Sequence, residues 1–247
     1  MANRSSATTS SATTSSATLA ARLLAEGIGA GLLVAAVVGS GIAAQRLSPG
    51  DVGLQLLENS TATVGALLAL ILAFGPVSGA HFNPAVTLAE LVTSKIDGGA
   101  AALYVVVQIV GACVGSVLAN LMFDLPAVTL STHDRITAPA ALAEVVATFG
   151  LLTIIFGVVR AGRLTAVPVA VAAYIGAAYW FTSSTSFANP AVTIGRTLTD
   201  TFAGIRPASA PGFIAAQLVG AALAVAVARV VFPEPEPSLE EALHVDR

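Results

Sequence analysis

Two short segments of this chain share one pattern: residues 78–87 read SGAHFNPAVT and residues 184–193 read STSFANPAVT. Each contains an Asn-Pro-Ala triplet, Asn83-Pro84-Ala85 in the first segment and Asn189-Pro190-Ala191 in the second, 106 residues further on. Asn is a preferred residue just before a helix, and Pro is favoured at the first helical position. Both triplets therefore predict the start of a helix.

The helices that begin at these triplets are too short to cross a bilayer. The apolar stretches 85–92 and 191–198 have about eight residues, or ~12 Å at the α-helical rise, whereas a span needs about 20 residues. We therefore predict two re-entrant half-helices. Irregular backbone at membrane depth is tolerated only where it packs against protein or lines a water-filled cavity. The backbone of the preceding loops is thus expected to line a pore, and the residues concerned are Gly79, Ala80, His81, Ser184 and Thr185.

Composition places the rest of the chain in a membrane. Of 247 residues, 55% are hydrophobic and only 10% are charged, against about 25% charged in soluble domains, and the mean hydropathy is +0.85. The chain is therefore expected to be an all-α membrane protein with six transmembrane helices. These are predicted over residues 19–44, 59–75, 100–122, 139–159, 165–183 and 209–232.

Charge and cysteine content exclude several function classes. The net charge of −3 is too acidic for a nucleic-acid-binding protein, which would carry a basic patch. The single cysteine, Cys113, and three widely separated histidines have no metal-ligand spacing. The sequence also contains no nucleophile–base constellation. We therefore expect no enzyme, no metal or other cofactor and no nucleic-acid partner.

The chain repeats itself in inverted orientation. Ala25-Glu26 recurs as Ala143-Glu144, and the pattern from Tyr104 to Gln108 recurs from Phe213 to Gln217, in the same order as the two triplets. The repeats are predicted at about 19–123 and 139–232. Each has three spans, an odd number, so the second repeat enters the membrane in the opposite direction. Such inverted repeats place the functional site near the midplane.

Both ends of the chain lie outside this single channel domain, residues 19–232. Residues 5–18 contain only Ser, Thr and Ala, so residues 1–18 are expected to be a disordered tail. Residues 233–247 form an acidic C-terminal tail. Cytoplasmic segments carry excess Lys and Arg, and with the N-terminus inside, seven such residues are inside and four outside. This predicts an inner-membrane protein with both termini in the cytoplasm.

Inversion brings the two half-helix N-termini together at the bilayer centre. Each carries about half a positive charge, so the pair opposes cations and protons, while the Asn83 and Asn189 amides donate hydrogen bonds to a passing oxygen. This predicts a channel for small neutral hydroxylic solutes. A secondary transporter would instead need an ion-coupling carboxylate in the pore, and only Glu26 and Glu144 are available as intramembrane carboxylates.

The chain closely resembles the aquaporin, or major intrinsic protein, family over residues 19–232. Residues 78–87 match the family's first motif throughout, and four polar residues match family positions: Glu26, Glu144, Gln108 and Gln217. The resemblance implies six tilted helices plus two half-helices, one pore per subunit, a homotetramer in the lipid bilayer, and neither catalysis nor a cofactor. In this fold the four polar residues are expected to support the re-entrant loops.

The chain departs from the family after its second Asn-Pro-Ala. Family members usually have Arg three residues past that Asn, at one side of the outer selectivity filter, and here the position is Val192. Ungapped spacing from the two Asn residues assigns the other filter positions to Thr63, Ala177 and Ser186, with Val64 replacing Thr63 after a one-residue shift. Among bacterial members, this chain resembles a group that has Val at this position and is associated with arsenic-resistance genes.

Small and medium filter residues predict a pore wide enough for water, glycerol-like polyols and undissociated arsenite. Arg196 leaves alternatives open because it lies four residues past Val192, on the same helix face. It could be a displaced charge at the outer vestibule, reach lipid headgroups, or pair with Asp200. If Arg196 or Phe187 turned into the gap, a strict water filter would result.

Overall fold

The structure is a computed structural model that describes residues 17–232, and its regular elements there are all helical. The predictions for residues 1–16 and 233–247 lie outside the described residues. Thr18, assigned to the tail, instead caps the first helix, because its hydroxyl accepts from the backbone N–H of Ala21 at 3.2 Å. The α-helices are α1 Leu19–Leu47, α2 Val52–Ser78, α3 Pro84–Val92, α4 Gly98–Met122, α5 Ala138–Arg160, α6 Val167–Phe181, α7 Pro190–Gly195 and α8 Ala210–Val231.

Six of these helices are long and apolar enough to span a membrane: α1, α2, α4, α5, α6 (with the 3-10 turn Leu164–Ala166 before it) and α8. Large apolar side chains such as Val110, Leu142 and Val230 are exposed on their outer faces. Soluble domains rarely expose large contiguous apolar surfaces of this kind. The predicted class, an all-α membrane protein with six spans, is confirmed.

The helices pack as two similar halves. Helix α1 lies against α2 and α4, and α5 lies against α6 and α8. Glycines at corresponding positions allow the closest approaches: a Cβ on Gly111 of α4 would collide with the Gly27 carbonyl of α1, and one on Gly220 of α8 would collide with the Val145 carbonyl of α5. Small residues at such crossings let helix backbones touch.

The two short helices, α3 and α7, begin at the residues that the triplets predicted. Helix α3 has nine residues. Helix α7 has only six, and the 3-10 turn Arg196–Leu198 continues it, so the second stub is a composite rather than one eight-residue helix.

The chain path defines two faces of the helix bundle. We call the face at which α1 begins the N-terminal face. Helix α1 ends at the opposite face, where the loops at 123–137 and 199–209 also lie. The backbone N–H of Phe202 donates there to the Gln45 side chain of α1 at 2.9 Å, and that of Arg206 donates to the His133 carbonyl at 2.7 Å.

Candidate functional site

Both triplet asparagines cap their half-helices. The Asn83 Oδ1 atom accepts from the backbone N–H of Ala85 at 2.9 Å, and the Asn189 Oδ1 atom accepts from those of Ala191 at 2.9 Å and Val192 at 3.2 Å. The prolines occupy the first helical position, where no backbone N–H is needed. Ala85 and Ala191 therefore each supply an N–H group to a cap, and both residues are fully buried.

The same asparagines join the two half-helices end to end. The Asn83 Nδ2 atom donates to the Ala188 carbonyl, and the Asn189 Nδ2 atom donates to the Phe82 carbonyl, both at 2.8 Å. Each cap therefore holds the loop that precedes the other cap. The positive ends of both half-helix dipoles face each other at this junction, so a cation or proton meets an unfavourable potential there.

The loops before the caps have a strained backbone with the same pattern in both repeats. Ala80 and Phe82 have φ of 51° and 48°, and their counterparts Ser186 and Ala188 have φ of 51° and 48°. Such left-handed conformations cost non-glycine residues about 1–3 kcal/mol each and persist only where the surroundings enforce them. The alternation turns successive backbone groups in different directions, so carbonyl groups can face a cavity while N–H groups face the protein.

In the first repeat, Glu26 of α1 binds those N–H groups. Its carboxylate accepts from the backbone N–H of His81 at 3.0 Å and of Phe82 at 2.7 Å, from the Ser78 hydroxyl at 2.6 Å, and from Gln108 Nε2 at 2.8 Å. Glu26 is completely buried. Both of its oxygens are occupied by donors from this loop and its support.

In the second repeat, Glu144 of α5 has the equivalent position. It accepts from the backbone N–H of Phe187 at 2.9 Å and of Ala188 at 2.8 Å, and from Gln217 Nε2 at 2.6 Å. Because both carboxylates are committed to the loops, neither is free to couple solute movement to an ion. This geometry disfavours the secondary-transporter alternative.

The glutamines connect the carboxylates to the half-helices. Gln108 Nε2 also donates to the Thr87 hydroxyl of α3 at 3.0 Å, and Gln217 Nε2 donates to the Thr193 hydroxyl of α7 at 2.9 Å. Each glutamine therefore ties one carboxylate to one half-helix.

One cavity of about 660 Å³ runs along these loops. It begins near Glu90 and Thr165 at the N-terminal face, passes Asn83 and Asn189, and reaches Arg196 towards the opposite face. One wall is apolar and comes from α1, α2, α5 and α6. Its members include Leu33, Val37, Leu67, Ile71, Leu151, Ile155, Val171 and Ile175. The other wall comes from the two re-entrant loops together with the two asparagines.

Most of the predicted lining residues are at this cavity. Its first-loop members are Gly79, Ala80 and His81, and the His81 ring lies 3.0 Å from the Thr87 hydroxyl through Nδ1. Ser184 and Thr185 are not among the lining residues. In the second loop the lining begins with Ser186, the residue after the one that corresponds to Gly79. Ser184 is buried behind the loop, where its hydroxyl accepts from the Ser186 N–H at 3.2 Å.

Three of the four predicted filter residues line the cavity: Thr63, Ser186 and Val192. Ala177 does not. It is exposed on the outer side of α6, and its assignment to the filter was wrong. At 3.6 residues per turn, residue 177 lies about 200° around the helix from the cavity-lining Ile175, so ungapped spacing from Asn189 selects the wrong face.

Tyr179 occupies the space that Ala177 was expected to leave open. Its hydroxyl lies 3.2 Å from the Thr63 hydroxyl. Since Thr63 already donates to the Asn59 carbonyl at 2.9 Å, Tyr179 is the donor of this pair. The spacing of Val171, Ile175 and Tyr179, each four residues apart, is a helical-face signal that could have identified it from sequence.

Arg196 lies at the end of the cavity nearer the opposite face. The residue is only 2% exposed, and its Cζ atom is 3.4 Å from the centroid of the Phe187 ring. Its Nε atom donates to the Ala203 carbonyl. Of the alternatives, the structure therefore supports a displaced charge at the vestibule.

Asp200, the other partner considered for Arg196, is occupied elsewhere. It accepts from the backbone N–H of Thr132 at 2.9 Å and from the hydroxyl of the same residue. The backbone hydrogen bond from Thr132 holds the pKa of Asp200 below its usual range. Among residues 17–232, no group of three His, Cys, Asp or Glu side chains is arranged to hold a metal ion.

Comparison with known proteins agrees with this geometry. Residues 13–188 match the family described as Major intrinsic protein. The chain is 49% identical over 221 residues to the aquaglyceroporin AqpS of Rhizobium meliloti (strain 1021), covering 89% of this chain and 94% of that protein. It is 32% identical over 186 residues to a probable TIP-type aquaporin of Medicago truncatula, covering 70% and 72%.

A solved structure shares the fold. The X-ray structure of the aquaglyceroporin from Plasmodium falciparum superposes with a TM-score of 0.65 at 20% identity, covering 87% of this chain and 98% of that one. With the family match over most of the chain and the paired half-helices, the conclusion is that this chain belongs to the major intrinsic protein family.

Proposed function

We propose that this chain is a passive channel that admits water and small neutral polyhydroxyl solutes, with glycerol as the first candidate and undissociated arsenite as the second. Family membership points to a channel rather than an enzyme. The proposal rests mainly on the two-sided cavity, which is lined by the re-entrant loops and the two asparagines on one side and by apolar side chains on the other.

A two-sided cavity fits the chemistry of a polyol. Glycerol has hydroxyl groups along one edge and C–H groups along the other, so the loop carbonyls and asparagine amides bind its hydroxyls while Leu67, Ile71 and Ile175 contact its carbon chain. The hydroxyls replace hydration at little cost, because each leaves water for another hydrogen-bonding partner. Water alone gains nothing from an apolar wall.

Undissociated arsenite is the second candidate because it combines three hydroxyl groups with zero net charge near neutral pH. A neutral solute avoids the electrostatic barrier of the facing half-helix dipoles. The name of the 49% identical relative, an aquaglyceroporin, supports a solute larger than water. It does not distinguish glycerol from arsenite.

A strict water channel is the competing function, and two observations favour it. Tyr179 and Arg196 bring an aromatic ring and a charged group to the cavity near Thr63 and Val192, where only small residues were expected. Both side chains reduce the free cross-section there, so solute flux must be measured directly.

The test compares the wild type with Val192→Arg in proteoliposomes by stopped-flow light scattering, using gradients of water, glycerol and arsenite. A long side chain at Val192, which lines the cavity, is expected to reduce glycerol and arsenite flux about 10- to 100-fold, a usual range for steric discrimination in a pocket. Water flux should fall much less. Ala177→Phe is the matched control, because it adds bulk on the exposed side of α6 and should change nothing.

The proposal is wrong if the wild type passes water but neither glycerol nor arsenite, which is the outcome that a strict water channel predicts. It is also wrong if Val192→Arg leaves all solute fluxes unchanged. An effect of Ala177→Phe equal to that of Val192→Arg would mean that the loss reflects misfolding rather than the filter.

The proposal includes a location and an assembly. We place the channel in the bacterial inner membrane with both termini in the cytoplasm, which makes the N-terminal face the inner face, in line with the excess of Lys and Arg there. We also propose a homotetramer in which each subunit holds its own pore. Cysteine substitution at Leu47 or Leu164, exposed at opposite ends of the bundle, followed by labelling of intact cells, tests the orientation.

A further inference from the structure

The arrangement around Arg196 carries an inference about selectivity that rests on the proposed channel function. Arg196 is a buried cation that lines the cavity one helical turn beyond Val192. Within residues 17–232 its guanidinium has one hydrogen-bond acceptor, the Ala203 carbonyl, and no carboxylate lies within ion-pair distance. Buried charges are normally paired, so this arrangement calls for another explanation.

The protein positions this guanidinium firmly. The face of the Phe187 ring lies 3.4 Å from Cζ, and stacking of this kind stabilises a desolvated cation. A guanidinium has five N–H donors. Nε uses one of them, and the other four have no acceptor in the described part of the chain. Since the residue borders the cavity, those donors remain available to whatever passes.

The repeat shows that half-helix packing does not require an arginine here. Arg196 follows Asn189 by seven residues, and Glu90 follows Asn83 by seven residues in the first repeat. Both line the same cavity, at its two ends. Equivalent positions therefore carry opposite charges. The packing of the half-helix does not require either charge, so each charge relates to its own end of the pore.

We propose that Arg196 is the charged residue of the outer filter in this channel, excluding cations and protons from a position one turn outside Val192. Its free N–H donors also hydrogen-bond solute hydroxyls beside Tyr179 and Thr63. Position 192 itself carries no long side chain. The Arg196 guanidinium, stacked on Phe187, supplies the positive charge from the next turn of the chain.

The experiment measures proton and potassium leak in proteoliposomes containing wild type, Arg196→Met or Arg206→Met, together with glycerol flux in the same vesicles. Arg206 is the matched control: it is an arginine at the same face, 55% exposed, paired with Asp134 at 3.8 Å. Removing one charge beside the path should raise cation leak by at least about tenfold, given an effective dielectric constant of about 20. Glycerol flux should stay the same or rise, and Arg206→Met should match the wild type.

Two further variants keep the inference testable if Arg196→Met does not fold. Arg196→Gln keeps a donor for the Ala203 carbonyl and should show the same leak, whereas Arg196→Lys keeps the charge and should not. The inference is overturned if the wild type conducts glycerol and the neutral variants leak no more than it does. A wild type that conducts no neutral solute would instead contradict the proposed function, so the two failures are distinct.

Discussion

Replacing Glu144 by Gln tests how the structure holds the second re-entrant loop. The carboxylate accepts three hydrogen bonds, one on Oε1 from Phe187 and two on Oε2 from Ala188 and Gln217. An amide of the same size has only one oxygen. Its best orientation places that oxygen at the Oε2 position, which leaves its NH₂ group facing the backbone N–H of Phe187.

The expected cost follows from these contacts. A buried N–H without an acceptor costs about 1–3 kcal/mol, and each of the two remaining bonds loses part of the extra strength that a charged acceptor provides. Together this destabilises the fold by about 2–4 kcal/mol. For a chain of this size each kcal/mol lowers the melting midpoint by about 2–4 °C, so we expect Glu144→Gln to melt roughly 4–16 °C below the wild type.

The assay is thermal denaturation of purified protein in detergent, followed by the size-exclusion profile after heating. Glu26→Gln should show a comparable loss, because Glu26 supports the first loop in the same way. Glu58→Gln is the control: one of its oxygens accepts from the Ser48 hydroxyl, which can rotate to accept instead. A midpoint for Glu144→Gln equal to that of Glu58→Gln would refute the assignment of Glu144 as the support of the loop.

Two further substitutions test the junction and the helix packing. Asn189→Ala removes the cap and the bond to the Phe82 carbonyl; it should cost about 1–2 kcal/mol and lower glycerol flux in vesicles, and unchanged stability and flux would contradict the role of the junction. Gly111→Ala should reduce the yield of folded channel on size-exclusion chromatography, because its Cβ would meet the Gly27 carbonyl, whereas Gly75→Ala, with open space around the Cβ, should not. Equal yields would contradict the close packing of α1 against α4.

The secondary structure and the centre of the site could be predicted from the sequence. Six charge-poor stretches of spanning length admit only helices, because lipid leaves no other partner for backbone groups. The Asn-Pro pairs fix where α3 and α7 begin, since capping chemistry depends on neighbouring residues alone. The duplication then brings Asn83 and Asn189 together, and the structure has each amide bonded to the loop of the other.

Which residues form the outer filter could be determined only from the tertiary structure. Spacing along the chain selected Ala177, but the rotation of α6 about its axis, set by packing against α2 and α5, turns Tyr179 towards the cavity and Ala177 away. The position of Arg196 was equally undecided, because lipid headgroups, Asp200 and the pore all lay within reach of a long side chain. Contacts with Phe187, in the loop before the half-helix, and with the Ala203 carbonyl, in the loop after it, decide between them. Local chemistry thus determined where the helices begin and meet, whereas side-chain packing between helices determined which residues face the solute.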